Sequence, residues 1–544
     1  MIKKLFVAVA VMAAAACGTQ AEDPDKAAKA SQDEVAGAPG AEQTTDPSTE
    51  ATVATPDGAS VPVEEALNQG AQAAAGTPAA AAQPNKAAGT AAPKQAAGGG
   101  SAPAPAGAPA PGGGSAPAPA GGEAPPVPAA GGEAPAKAAV VTKGQGFSDT
   151  TIKVGATFPL SGALAFIGQQ SAGAIDAAVK MINARGGIHG RKLQLITYDD
   201  AFDPGQVVGN VKRLWEQDKV SMVFAFVVDS ANDYVKSKDI PFFTFGGSPG
   251  GFATKYPTII PVGGSFLTWG QQVAHAVTKY MDRHPKVVAV MTDSVILNTH
   301  VTAKYIEDYW KKLGAEKVII EPVNMTQGDC SSQVLKYRQE GVEYWDWQSF
   351  AFVLCMPAME RLGWKPPLGQ GGPVASMSVL SSAIGKSMEG VVAGAPADMF
   401  DGRPRFTGPT KGHLEYTEAI KKYQPGLNGP DHFNSPTTMA YWMAAKFAFE
   451  GALNGAAEKY GELSSDAMLK WIYQAKNFDT GISTPIRGFA PDCKQGNNTT
   501  WWGLWKWDEG GQKLVNNPLT PHVDNSWYTN DGCFMTKVAN EVVK

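Results

Sequence analysis

No Phe, Tyr or Trp occurs between Phe6 and Phe147 in this chain of 544 residues. From Ala71 to Val140, Ala, Pro and Gly fill 55 of 70 positions. Such a stretch cannot bury enough apolar surface to offset its chain entropy, so it is excluded from any folded core. Other absences narrow the chemistry. The chain has no Cys-x-x-Cys, and its seven histidines form no His-Glu-x-x-His pair, so no metal site is expected. No apolar run is long enough to cross about 30 Å of hydrocarbon as a helix. Cationic excess is lacking too. The 46 Lys and Arg against 51 Asp and Glu give a net charge of −5, which leaves no electrostatic footprint for nucleic acid. A phosphate loop before Gly385-Lys386-Ser387 fails because Leu380 stands where its first glycine is required. Gly246 to Gly250 spells the serine-hydrolase elbow, but that elbow uses the N–H after the serine, and here that residue is Pro249. No catalytic residue and no cofactor are therefore expected.

What is present begins with an export signal. Lys3 and Lys4 precede an apolar stretch, Leu5 to Met12, and then Ala13 to Ala16 lead to Cys17. Small residues before a cysteine resemble the bacterial lipobox, although Ala14 stands where Leu is usual. The resemblance implies a signal over residues 1–17 and a lipid on Cys17, which would hold the protein to the outer face of the membrane. Residues 18–146 read as a disordered tether, in which GGGSAPAPAG occurs at Gly98–Gly107 and again at Gly112–Gly121. A flexible chain of this length spans about 60 Å between its ends. Four cysteines remain, Cys330, Cys355, Cys493 and Cys533. An even number outside the cytoplasm favours disulfides. Three pairings are possible, and the in-order one closes the shortest loops.

All 13 Trp lie in the region 147–544, which is long enough for two lobes. Strand-like runs at 151–160, 192–200, 221–228, 240–245, 286–293, 317–324 and 373–379 alternate with helical runs at 168–185, 204–219, 265–284, 300–313 and 331–339. Such alternation predicts an α/β fold of parallel sheets with helices on both faces. Two successive runs predict two Rossmann-like lobes, lobe 1 at about 147–270 and 395–478, lobe 2 at about 271–394 and 479–544. Ligands of such sheets bind beyond the carboxyl ends of the strands, which directs attention to the loops after Leu160, Val228, Phe245 and Asp293.

Several ordered motifs carry a more specific likeness. They are Pro159-Leu160-Ser161-Gly162, the run Ile182 to Leu193 (INARGGIHGRKL), Tyr198 to Pro204 (YDDAFDP) and Gln217 to Val220. Further on come Asp329 to Lys336 (DCSSQVLK), Arg361 to Trp364, and Ser435 to Tyr441 (SPTTMAY). In this order they resemble the leucine/isoleucine/valine-binding family, the type I periplasmic binding proteins of ABC importers. The resemblance implies two lobes joined by three hinge strands that close over a solute. It also implies a monomer that delivers the solute to permease and ATPase subunits.

The resemblance also points to site residues. Ser161 and Phe166 follow the first strand, and Ile167 stands where amino-acid binders place an aromatic ring. Asp229 and Ser230 match a carboxylate-binding hydroxyl turn. Gly246, Gly247 and Ser248 match the turn that receives carboxylate and ammonium, glycine allowing close approach while N–H groups and a hydroxyl hold an anion. Asp293, Leu297, Gln348 and Ser376 complete the candidates, Leu297 replacing a covering tyrosine. The family's second-lobe acid would fall near Val374–Ser376, where this sequence has none. A desolvated ammonium without a carboxylate partner costs several kcal/mol. Of the expected classes, amino acid, amide or apolar carboxylic acid, a standard α-amino acid would therefore need Asp293 or Asp229 as the substitute acid, and the simpler expectation is an apolar acid or amide. Trp269 is a further candidate for lining the cleft. A sensor module of the same fold and an exported hydrolase using Ser248 are the alternatives. The Trp-rich tail, Trp501 to Trp527, reads as a disulfide-stapled hairpin on the second sheet's edge, its rivals being a cleft wall or a permease-docking surface.

Overall fold

The computed structural model describes residues 140–162, 164–226, 229–293, 299–323, 329–349, 352–370, 384–397, 410–427, 435–497, 500–523 and 533–543. Two short strands upstream, Thr52–Ala54 and Ser60–Pro62, pair antiparallel. The export signal, Cys17, Leu297, Ser376 and the strand expected at 373–379 lie outside the described residues, as do the side chains of Phe166 and Asp293.

The first lobe is built on five parallel strands, β1 (Thr151–Phe158), β2 (Lys192–Asp199), β3 (Met222–Ala225), β4 (Phe242–Thr244) and β5 (Ile259–Pro261). Their spatial order is β2-β1-β3-β4-β5. β3 and β4 are buried at every position, as strands covered on both faces must be. Helix α1 (Ala165–Ala184) packs on one face. α2 (Pro204–Glu216) packs on the other through Val207, Val211 and Leu214, which recur at helical spacing. Asp203 caps α2 by accepting from the Gln206 N–H, and Pro204 occupies the first helical position.

The second lobe repeats this order. Strands β6 (Val287–Asp293), β7 (Lys317–Val323), β8 (Tyr344–Gln348), β9 (Leu368–Gln370) and β10 (Val392–Ala395) run parallel in the order β7-β6-β8-β9-β10. An antiparallel hairpin of β11 (Thr500–Asp508) and β12 (Lys513–Val523) extends the sheet beyond β10. The hairpin agrees with the reading of the Trp-rich tail, and Trp502 and Trp505 bury on opposite faces, in separate core clusters. Cys493 and Cys533 flank the hairpin as expected, and their disulfide also joins residue 493 to the start of a C-terminal helix. Cys330–Cys355 is the other disulfide, so the pairing is in order.

Helices α4 (Phe266–Tyr280) and α5 (Thr299–Lys312) cover the second sheet, and α6 (Ser331–Gln339) and α7 (Phe352–Arg361) carry the Cys330–Cys355 bond. The short α3 (Asn232–Ser237) follows β3. After β10 the chain returns to the first lobe with α8 (Lys411–Tyr423) and α9 (Pro436–Lys446), both packed on α1. α9 continues through a π-helical turn, Phe447–Leu453, and α10 (Ser465–Gln474) follows. Residues 489–497 fall in the range expected for lobe 2, and there the Lys494 ammonium donates to the carbonyls of Gly251 (3.0 Å), Tyr256 and Ile259 (2.8 Å) beside the first sheet. The last helix, α11 (Phe534–Val542), touches both lobes. Thr254 donates to Asn540 through its N–H (2.9 Å) and hydroxyl (3.0 Å), and Tyr305 on α5 bonds Glu541.

Candidate functional site

In the order β2-β1-β3-β4-β5, connections turn opposite ways on either side of the β1/β3 gap, and such a switch point leaves a crevice at the strand ends. The loops after β1, β2, β3 and β4 meet there. Asp199, the last residue of β2, holds the first loop. Its Oδ1 accepts from the N–H groups of Leu160 (2.8 Å), Ser161 (3.2 Å) and Ala201 (2.9 Å). Burial raises its pKa, but the Ser161 hydroxyl and these N–H groups outweigh that and hold the carboxyl below its ordinary value. Its neighbour Asp200 is buried, accepts from the Thr157 hydroxyl at 2.8 Å, and is pushed by burial up to about 6.

Aromatic rings, buried except for the half-buried Phe202, pack along the same edge. Centroid distances step from Phe202 to Phe226 (5.9 Å), Tyr441 (6.5 Å), Phe245 (6.3 Å), Trp269 (5.8 Å) and Phe266 (5.2 Å). Phe202, Phe226 and Phe245 follow β2, β3 and β4. Tyr441 reaches in from α9 and donates its hydroxyl to the Ala225 carbonyl at 2.9 Å. A buried phenol left unpaired would cost energy, so this bond fixes the ring against the end of β3.

The turn after β4 is spent on local structure. Gly246 has φ 115°, and a Cβ there would lie 2.1 Å from the Gly264 carbonyl oxygen, so only glycine fits. The Gly247 N–H donates to Gly264 O at 2.8 Å, which corrects the expectation that it is free for an anion. Ser248 is buried, caps the 3₁₀ turn Pro249–Phe252, and donates its hydroxyl to the Asp229 carboxylate. Asp229 also accepts from Asn232 Nδ2 at 2.9 Å, and burial raises its pKa. Thus Asp229, Gly246, Gly247 and Ser248 are brought together. Ser230 lies beside them and donates to the Pro204 carbonyl at 3.1 Å. Ile167 is 1% exposed on α1 and belongs to the core, and Ser161 is exposed beside Asp199.

The second lobe has the matching switch point between β6 and β8. There Gln348 pairs in register with Thr292, and both side chains are buried. Gln348 Nε2 donates to Asp346 Oδ1 (2.5 Å) and Trp310 Nε1 to Asp346 Oδ2 (3.0 Å), while burial pushes Asp346 up to about 7. Among the described residues, the Gln348 Oε1 and Thr292 Oγ1 atoms have no hydrogen-bond partner.

Two sheets thus repeat one parallel five-strand order, each with its own switch point. A family-wide sequence pattern described as periplasmic binding protein matches residues 151–512. The chain belongs to this family. As a periplasmic binding protein it is similar to Leu/Ile/Val-binding protein homolog 7 of Brucella suis, 26% identical over 393 residues that cover 69% of this chain and 94% of that one. The Leu/Ile/Val-binding protein of Citrobacter freundii is 25% identical over 362 residues, covering 63% and 93%. Among solved folds, a fatty acid ABC transporter substrate-binding protein from Thermomonospora curvata superposes with TM-score 0.59 at 18% identity, over 72% of this chain and 97% of that one. An ABC transporter solute-binding protein from R. palustris, in complex with 4-hydroxybenzoate, gives 0.56 at 15% identity over 69% and 97%. These agree with the two-lobed α/β fold expected from the sequence. Among the described residues, no helix of this periplasmic binding protein is long and apolar enough to cross a membrane, and no cluster of His, Cys, Asp or Glu could hold a metal ion.

The mutual packing of Phe226, Phe245 and Tyr441 was not expected, although the first two fall in the expected strand runs 221–228 and 240–245 and the third closes the SPTTMAY motif.

Proposed function

We propose that this periplasmic binding protein captures a small solute with an apolar or aromatic body by lobe closure and hands it to an ABC permease with its ATPase. The observation that carries this reading is the run of rings from Phe202 to Trp269 along the first lobe's switch point. Separation of the lobes would expose that rim to an incoming solute. Asp229 and Ser248, already joined, form the polar end of the same edge. Two further features support an apolar acid or amide over a standard amino acid. The sequence has no carboxylate at Val374–Ser376, and related folds are described with a fatty acid or with 4-hydroxybenzoate. Signal cleavage and a lipid on Cys17 would keep the protein tethered beside its transporter, outside the cytoplasm.

The test is thermal unfolding of the whole chain with branched-chain amino acids, aryl and alkyl carboxylic acids, and amides. A solute at one hundred times its dissociation constant adds about 2.7 kcal/mol. The expected result is a rise in melting temperature with an acid or amide. A rise with Leu, Ile or Val alone would overturn the assignment of ligand class.

A further inference from the structure

Outside the strand ends, the chain forms a groove of about 520 Å³ between the end of α10 and the meander that follows it. Tyr473 and Pro485 give it apolar surface above the buried Phe489, and Thr484 and Gln495 are its polar lining residues. Its charged lining residues are Lys476 and Arg487, and no carboxylate lines it. Lys476 is exposed and Arg487 half-buried, so two positive charges face one concavity. A concave surface of one sign concentrates ions of the other. The volume matches small-molecule sites, which run to about 300–1,000 Å³.

One wall of this groove is also the hinge. The chain leaves the first lobe after Val262, leaves the second after Pro396, and enters the second again after Asn497. Asn497 ties these crossings together. Its N–H donates to Val262 O at 2.6 Å, and its Nδ2 donates to Ser483 Oγ (3.1 Å) and to Thr484 O (3.0 Å). Ser483 Oγ in turn donates to Pro396 O at 2.6 Å. The meander reaches the far end of the second crossing as well, where Thr410 Oγ1 donates to Gly481 O at 2.6 Å. Thr484 therefore faces the groove with one part and the knot with another, and Gln495 stands two residues from Asn497. Anything that fills the groove bears on the segment through which all three crossings are bonded.

We propose that this groove is a second binding site, for a small anion with an apolar or aromatic body, and that its occupancy shifts the balance between open and closed lobes. The coupling half rests on the lobe-closure reading above, whereas the binding half does not.

The probe is 8-anilino-1-naphthalenesulfonate, an aromatic monoanion, titrated into the full chain by fluorescence. Small-angle scattering with and without the probe reports the radius of gyration. Lys476→Glu reverses one groove charge at an exposed position, and Lys470→Glu is the control on the neighbouring helix. The expected result is at least tenfold weaker binding in Lys476→Glu alone, with a probe-induced change in radius of gyration that this variant loses. Equal affinity in all three proteins would overturn the site, since binding would then reside elsewhere, the aromatic strand ends included. Weakened binding without any change in scattering would overturn the coupling and leave the solute-capture reading untouched.

Discussion

The Ser248 hydroxyl donates to the carboxylate of Asp229, nineteen residues away and across the gap between the β3 and β4 loops. This bond decides what the G-x-S-x-G sequence is for. The hydroxyl is engaged by an acid and by the Gly250 N–H at 3.3 Å, in a helix-capping arrangement rather than beside a base. Ser248→Ala is expected to lower stability by about 1–2 kcal/mol, through the lost cap and the lost bond to a charged group. Denaturant unfolding measures that loss. An equal stability of variant and parent would refute the capping role.

Asp346 provides a pH signature. Its carboxyl, pushed to about 7 against an ordinary 3.8, holds a proton in the folded state that the unfolded chain releases. Stability from this group is fully present below about pH 4 and is lost as the pH rises through 7. Asp200, pushed to about 6, acts in the same direction over a narrower window. Asp346→Asn should therefore flatten the fall in melting temperature between pH 4 and 7, and should be the more stable protein at pH 8. A parallel pair of curves would contradict the assignment.

Lys494 is a buried ammonium whose partners are three backbone carbonyls, Gly251, Tyr256 and Ile259. Burial pushes its pKa down to about 7. Lys494→Met keeps the bulk of the stem but leaves three acceptors without their donor, each costing about 1–3 kcal/mol when buried. A loss of at least about 3 kcal/mol is expected on unfolding in urea. A neutral substitution would show that water replaces the ammonium without penalty.

The Cys493–Cys533 bond closes a sequence separation of 40 residues and fastens α11 to the segment that carries Lys494. Loop-closure entropy for such a separation is worth about 4 kcal/mol. Cys493→Ser combined with Cys533→Ser should lose stability on that scale and speed amide exchange in 534–542 selectively. Uniform exchange throughout the first lobe would instead mean that α11 is no separate unit.

Much of the architecture was legible from periodicity. The elements β1, β2, β6, β7, α2, α5 and α6 fall within a few residues of their expected bounds, because each has a long amphipathic or apolar pattern. β8 was not foreseen, since YWDWQ places aromatic and polar residues on alternate faces that are both buried. β5, β9 and β10 are three or four residues long, too short for any period to register. At the site, the sequence suggested Asp229, Ser230 and Ser248 but not their bonding, because hydrogen bonds between separate loops leave no local pattern. The same reason hid Asn497, whose partners lie at 262, 483 and 484. Ile167, expected to line the cleft, lies on α1 in the same buried cluster as Phe226, Phe245 and Trp269.

Residues 140–143 are held along a narrow seam. Among the described residues, Val141–Thr142 pairs with Glu462–Leu463, through Val141 N–H to Gly461 O (2.9 Å) and Lys143 N–H to Leu463 O (3.0 Å), while Arg191 Nη2 donates to Val140 O at 2.8 Å. Mechanical tension arriving along the preceding chain would meet these few bonds first. Load would pass next to Gln145, whose Nε2 donates to Trp215 O (2.9 Å) and Val220 O (3.1 Å), and only then to β1 and its sheet.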